Sequence, residues 1–166
     1  MADTIYKDIR KSHSLTRDEV CDRASILNEP LQPERLERIE NGKFNISPDE
    51  VLLLSKIYGE PSLCNHYCAK ECPIGEKYVP EIKVGDLAQI VLEMLASINS
   101  MKKSQERLIE ITADGVIADD EIEDFVFIQN ELERISVTVE TLQLWVEQML
   151  ADKKINLDKY NEIKNR

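Results

Sequence analysis

Apolar positions recur at helical spacing along this chain, and the recurrence changes character about halfway. In the first sixty residues the stripes are short: Ile5 with Ile9, Val20, Leu36 with Ile39, then Val51, Leu52, Leu54 and Ile57. Steps of three and four mark the buried face of an amphipathic helix. From Val84 the stripes become long. Leu87, Val91, Met94, Ile98, Met101, Leu108 and Thr112 alternate steps of four and three, with one polar interruption at Gln105, and so form a heptad seam. A cleaner seam follows through Phe125, Ile128, Leu132, Ile135, Val139, Leu142, Val146 and Met149.

Start and stop signals divide these stripes into helices. The first covers Thr4 to about Lys11. Thr16 with Glu19 three residues later has the spacing of a capping box and opens a second helix from Arg17 to about Ala24. After Pro30, which cannot continue a helix, Pro33 and Asn41-Gly42 bound a short third helix, since proline suits a first helical position and glycine the left-handed stop. Ser47-Pro48, with Asp49 and Glu50 in the first turn, opens a fourth that ends at Tyr58-Gly59. Asp114-Gly115 stops the first long helix and Asp119 or Asp120 caps the second; so short a connection makes the two long helices antiparallel neighbours. Glu110, Thr112, Asp114, Gly115, Ile117 and Glu121 fall at calcium-loop positions, yet the loop opens with Glu and lacks early carboxylates, so the stretch reads as a helix stop.

Composition agrees with an all-α fold. Five Gly and 5% aromatic residues are too few for the turns and strands of an all-β chain, and 42% hydrophobic content suffices for a core. No apolar run approaches a membrane-spanning length and no basic stretch followed by an apolar one opens the chain, so the expectation is a cytoplasmic protein that does not enter a membrane. The expected organisation is a domain over 1–60, a Cys-containing connector over 61–82 whose part after the Cys run is made extended by Pro73, Gly75 and Pro80, a helical hairpin over 83–151, and a polar tail over 152–166 that extends the helix or frays. The hairpin's own seam leaves Leu92, Leu95, Phe127, Leu144 and Trp145 uncovered, which calls for a partner, most economically a second copy.

Charge and chemistry narrow the function. Net charge is −11, with nine Lys and Arg against twelve Asp and Glu in residues 1–60, so the first part is less acidic than the rest but is not a basic patch. His13 and His66 are the only histidines, no Gly-rich phosphate loop occurs, and no nucleophile stands out with a base; the chain does not read as an enzyme, and no cofactor is expected. Cys64, Cys68 and Cys72 recur every four residues beside His66. Three readings stay open: buried or free thiols, a soft metal site using Cys64, His66, Cys68 and Cys72, or a disulfide or redox switch. One helix cannot by itself wrap a tetrahedral ion, which favours the first.

Leu15-Thr16-Arg17-Asp18-Glu19-Val20-Cys21, Leu36-Glu37-Arg38-Ile39-Glu40-Asn41-Gly42-Lys43 and Ser47 to Gly59 together resemble the Cro/repressor-type (XRE) helix-turn-helix domain, over residues 5–59, about a third of the chain. Cys72-Pro73-Ile74-Gly75 with Lys77-Tyr78-Val79-Pro80 is similar to bacterial regulators of that type carrying a helical C-terminal extension. The resemblance implies a lambda-repressor-like fold in which the second helix crosses the DNA backbone and the helix at 33–41 enters the major groove. It places Gln32, Glu34 and Arg35 at base edges with Arg38 nearby, and Arg17 and Lys43 at phosphates. It further implies a dimeric transcriptional regulator reading two half-sites of double-stranded DNA. The residues alone support an alternative, an acidic adaptor or antitoxin-like protein that binds a basic protein and keeps the helix-turn-helix fold as a scaffold.

Overall fold

The computed structural model describes residues 4–113 and 115–166, and of Lys103 only the backbone. Asp114, expected at the helix stop, lies outside the described residues. Helix is the regular structure found among the rest: α1 (Ile5–Ser12), α2 (Arg17–Ile26), α3 (Pro33–Glu40), α4 (Pro48–Tyr58), α5 (Ser62–Lys70), α6 (Gly75–Tyr78), α7 (Leu87–Ile111), α8 (Ile122–Ala151) and α9 (Leu157–Lys164). The chain divides into two compact units, one of Met1–Glu81 with Glu147–Arg166 and one of Ile82–Val146. No described helix is long and apolar enough to cross a membrane.

In the first unit, local chemistry sets the helix ends. Thr16 and Glu19 form the reciprocal box that starts α2, and Ser47 with Glu50 forms a second one at α4, where Pro48 takes the first position. Gly42 and Gly59 carry the left-handed backbone that stops α3 and α4, with φ of 63° and 69°. One core joins the helices: Tyr6 of α1, Val20 and Ala24 of α2, Leu36 and Ile39 of α3, and Val51, Leu54 and Ile57 of α4.

This unit extends well past residue 60. The stretch expected as a Cys-containing connector holds α5 and, in the part expected to be extended, α6; Leu63 of α5 is fully buried in the same core. The Tyr6 hydroxyl donates to Glu71 Oε1 at 2.7 Å, tying the end of α5 to α1. Gly75 is where α6 touches α5, since a Cβ there would stand 2.0 Å from the Cys68 carbonyl oxygen. The proline and glycine read as signs of an extended chain thus accommodate a tight helix-to-helix turn. At the far end of the chain, Gln148 Nε2 donates to the Gly59 carbonyl at 3.2 Å, and Asn156 caps α9 by accepting from the Lys159 amide at 2.9 Å.

In the second unit, Arg107 of α7 meets Asp124 of α8 at 2.6 Å, and Ser100 of α7 hydrogen-bonds Glu131 of α8. Seven residues back along α7 correspond to seven onward along α8, so the helices are antiparallel. Ile128 of α8 is buried as the expected seam has it, but at alternate positions the buried line steps one residue back. Ile90, Ser97 and Ile111 are buried on α7, where Val91, Ile98 and Thr112 were expected; Glu131 and Thr138 are buried on α8, where Leu132 and Val139 were expected. Leu132 and Val139 are 48% and 40% exposed. At the start of α8 the Glu121 carboxylate accepts from the Ala118 amide at 3.0 Å.

Candidate nucleic-acid interface

The sequence directs attention to α2, α3 and the loop after α3, and a single carboxylate organises them. Glu40, at the end of α3, has 0% exposure. Position 40 follows Leu36 by four and Ile39 by one, so the helical period itself puts the side chain on the buried face. Arg10 Nη2 of α1 and Arg17 Nε of α2 each donate to its Oε2 at 2.9 Å, and Arg10 Nε donates to Oε1. Arg10 Nη1 also donates to the Leu15 carbonyl at 2.7 Å, holding the α1–α2 link. Burial pushes the Glu40 carboxyl up, but the bonds from Arg10 and Arg17 outweigh it and leave the group below the ordinary carboxylate range. Three helices therefore meet on one ionised, hydrogen-bonded charge.

A second fork fixes α3 to α4. Arg35 Nε and Nη2 donate to Glu50 Oε1 and Oε2, both at 2.7 Å, and Nη2 also donates to the Asn45 carbonyl at 3.0 Å. The guanidinium lies 4.2 Å from the centroid of the Phe44 ring, which is 55% exposed. Glu50 Oε2 accepts the Ser47 amide at 2.8 Å as well. The hydrogen bonds from Arg35, with those of Ser47, hold the Glu50 carboxyl below its usual range. A paired, planar fork of this kind has strict geometry, and Lys would not reproduce it.

The six residues nominated from sequence thus separate into two groups. Arg17 and Arg35 have their guanidinium groups engaged by Glu40 and Glu50, and Arg17 also approaches Glu37 at 3.8 Å. Gln32, Glu34, Arg38 and Lys43 are exposed, and no side-chain hydrogen bond or ion pair engages Arg38 or Lys43 among the described residues. The groove between α2 and α3 is lined by Arg10, Thr16, Arg17, Asp18, Glu34 and Glu37. Its two arginines are already paired with Glu40, so the groove itself is acidic, and the uncommitted positive charge sits at the C-terminal end of α3 and in the loop beyond. Sequence reasoning passed over Glu40, Glu50 and Phe44. The first two were detectable, from the helical period and from the capping-box spacing to Ser47.

The Cys stretch takes no part in this surface. Cys64, Cys68 and Cys72 are free and partly buried, and His66 faces Glu71 at 3.8 Å. Burial first, and then the neighbouring Cys72 and Cys64, push the Cys68 thiol up, which keeps it protonated and weakly nucleophilic. Among the described residues no group of three His, Cys, Asp or Glu is placed to hold a metal ion. Comparison with protein-family models, with curated proteins and with solved structures gives no match to this chain.

Proposed function

We propose that the first unit contains a Cro/repressor-type helix-turn-helix, that α2 lies across the DNA backbone with α3 in the major groove, and that the chain is a transcriptional regulator acting as a dimer. The observation that carries this reading is the Glu40 anchor. It fixes α2 and α3 against each other at buried positions while leaving the outer side of α3 uncommitted at Gln32, Glu34 and Arg38. A reading helix needs that rigidity, because base contacts discriminate only when the side chains arrive in register. Gln32 has the geometry for an adenine edge, Arg38 for a guanine edge or a phosphate, Glu34 for a cytosine amino group, and Lys43 for a phosphate. Arg17 and Arg35 position the helices in this scheme and do not read DNA themselves.

Fluorescence anisotropy with duplexes from the chain's own locus tests the assignment. Gln32→Ala costs about 1–3 kcal/mol of sequence discrimination, and Arg38→Ala or Lys43→Ala weakens binding and lowers the salt slope by about one where the contact is a phosphate. Affinity unchanged in all three variants would remove α3 from the interface.

The acidity of the α2–α3 groove favours a second reading, in which this face binds a basic protein segment. In that case Gln32→Ala has no effect on binding, whereas Glu34→Lys with Glu37→Lys abolishes capture of the protein partner.

A further inference from the structure

Where the buried line of the second unit falls one residue short of the apolar stripe it leaves an apolar flank exposed, and the opposite flank shows which side it lies on. Glu93 and Ser97 of α7 line one groove together with Asn130, Arg134 and Thr138 of α8. In an antiparallel pair, stepping one residue forward from the buried line turns both helices towards the same side, away from that groove. Val91 and Ile98 follow Ile90 and Ser97; Leu132 and Val139 follow Glu131 and Thr138. The register that pairs Arg107 with Asp124 puts Ile98 next to Leu132 and Val91 next to Val139. Leu87 continues the row and Leu95 forms its shoulder. Leu87, Leu95, Ile98, Leu132 and Val139 are exposed, with Leu95 at 49%.

We propose that this flank is the interface with a second copy of the chain, forming a four-helix bundle with the charged groove facing outwards. The partner is argued from charge, symmetry and size. Copies with a net charge of −11 repel one another, and contact costs least through a face free of like charges; this row has none, while the opposite groove carries Glu93, Glu133 and Arg134. An antiparallel pair presents the same apolar row to a dyad-related copy, as an isologous interface requires. Two helices of this length, about 37 Å long and together about 19 Å wide, offer a face of about 700 Å². That is close to the about 800 Å² per partner of a stable interface. Ser97, Glu131 and Thr138 are buried within one chain, with Glu131 hydrogen-bonded to Ser100 across the pair, while Leu95, Ile98, Leu132 and Val139 stay exposed on this flank.

The inference takes its dimer from the reading above, and its test contains no DNA: a dimer that ignores Leu132→Lys and Leu95→Glu removes this interface alone, whereas a wild-type monomer removes the dimer from both readings. Sedimentation velocity of the full chain gives a dimer at micromolar concentration. Leu132→Lys, and separately Leu95→Glu, raise the dimer dissociation constant about thirtyfold or more, the effect of a central interface residue. Their helical circular dichroism matches wild type, because both side chains are solvent-facing within one chain. Glu133→Lys on the other flank leaves the dimer intact. A wild-type monomer, a Leu132→Lys and Leu95→Glu pair that both remain dimeric, or a dimer lost on Glu133→Lys alone, would overturn the assignment.

Discussion

At Glu40 a carboxylate with no exposure holds three helices through two arginines, so its loss leaves Arg10 and Arg17 without their shared partner in a partly buried setting. Glu40→Gln is expected to lower unfolding free energy by about 3–5 kcal/mol, as for other buried pairs broken on one side, measured by urea denaturation. The pH dependence has a defined sign. The carboxyls of Glu40 and Glu50 are both lower in the folded chain than unfolded, so their contribution is fully present above the unfolded value of about 4.3 and is lost as pH falls through the folded values. Stability is therefore flat from neutrality to about pH 5 on account of these groups and falls below it. Glu40→Gln makes that fall shallower; an unchanged acid limb would mean that Glu40 contributes nothing to it. Arg35→Lys separates structure from recognition: it loses the fork to Glu50, so the melting temperature drops, while discrimination between DNA sequences persists. These roles were partly legible in the sequence. The residue types were recognised, but the engagement of Arg17 by Glu40 and of Arg35 by Glu50 was not, because a sequence does not state which carboxylate claims a guanidinium first.

Elements were legible where their ends carry chemistry. The capping box at Thr16, the Ser47-Pro48 start and the glycines at 42 and 59 are local devices that act through a few neighbouring atoms, and each marks the end of a helix in the structure. Two features escaped because they depend on distant partners. Residues 61–82 were taken for a connector, extended where Pro73, Gly75 and Pro80 break regular structure, yet α5 and α6 form there and Leu63 and Tyr6 draw the segment into the core. Gly75→Ala tests this packing. The added methyl would overlap the Cys68 carbonyl, so stability is expected to fall by about 1–3 kcal/mol; a neutral effect in thermal melts would show that α6 sits more loosely than described. Alternate positions of the α7 and α8 seam, at 91, 98, 112, 132 and 139, were misplaced by one residue for a similar reason, while Ile128 is buried as expected. Periodicity locates the centre of the apolar stripe, but a pair of helices buries only the part of it that faces the other helix, and Ser97, Glu131 and Thr138 occupy that line.

For the whole molecule, the unfavourable fact is a charge of −11 on a chain proposed to approach phosphates. Weak, sequence-independent attraction is correspondingly small for such a chain, so recognition must come from contacts made by the few uncommitted groups at and beyond the end of α3 and by two copies acting together. The all-helical class was evident from composition and periodicity alone, whereas the division into units was not, because residues 147–166 return to the first unit from the far end of the sequence. The most direct test of the central claim is a salt titration of full-length protein binding to a duplex from its own locus, beside a scrambled duplex of equal length. The account predicts binding at physiological salt at least about a thousandfold tighter to the locus duplex. Equal affinity for the two duplexes, vanishing together at moderate salt, would contradict it.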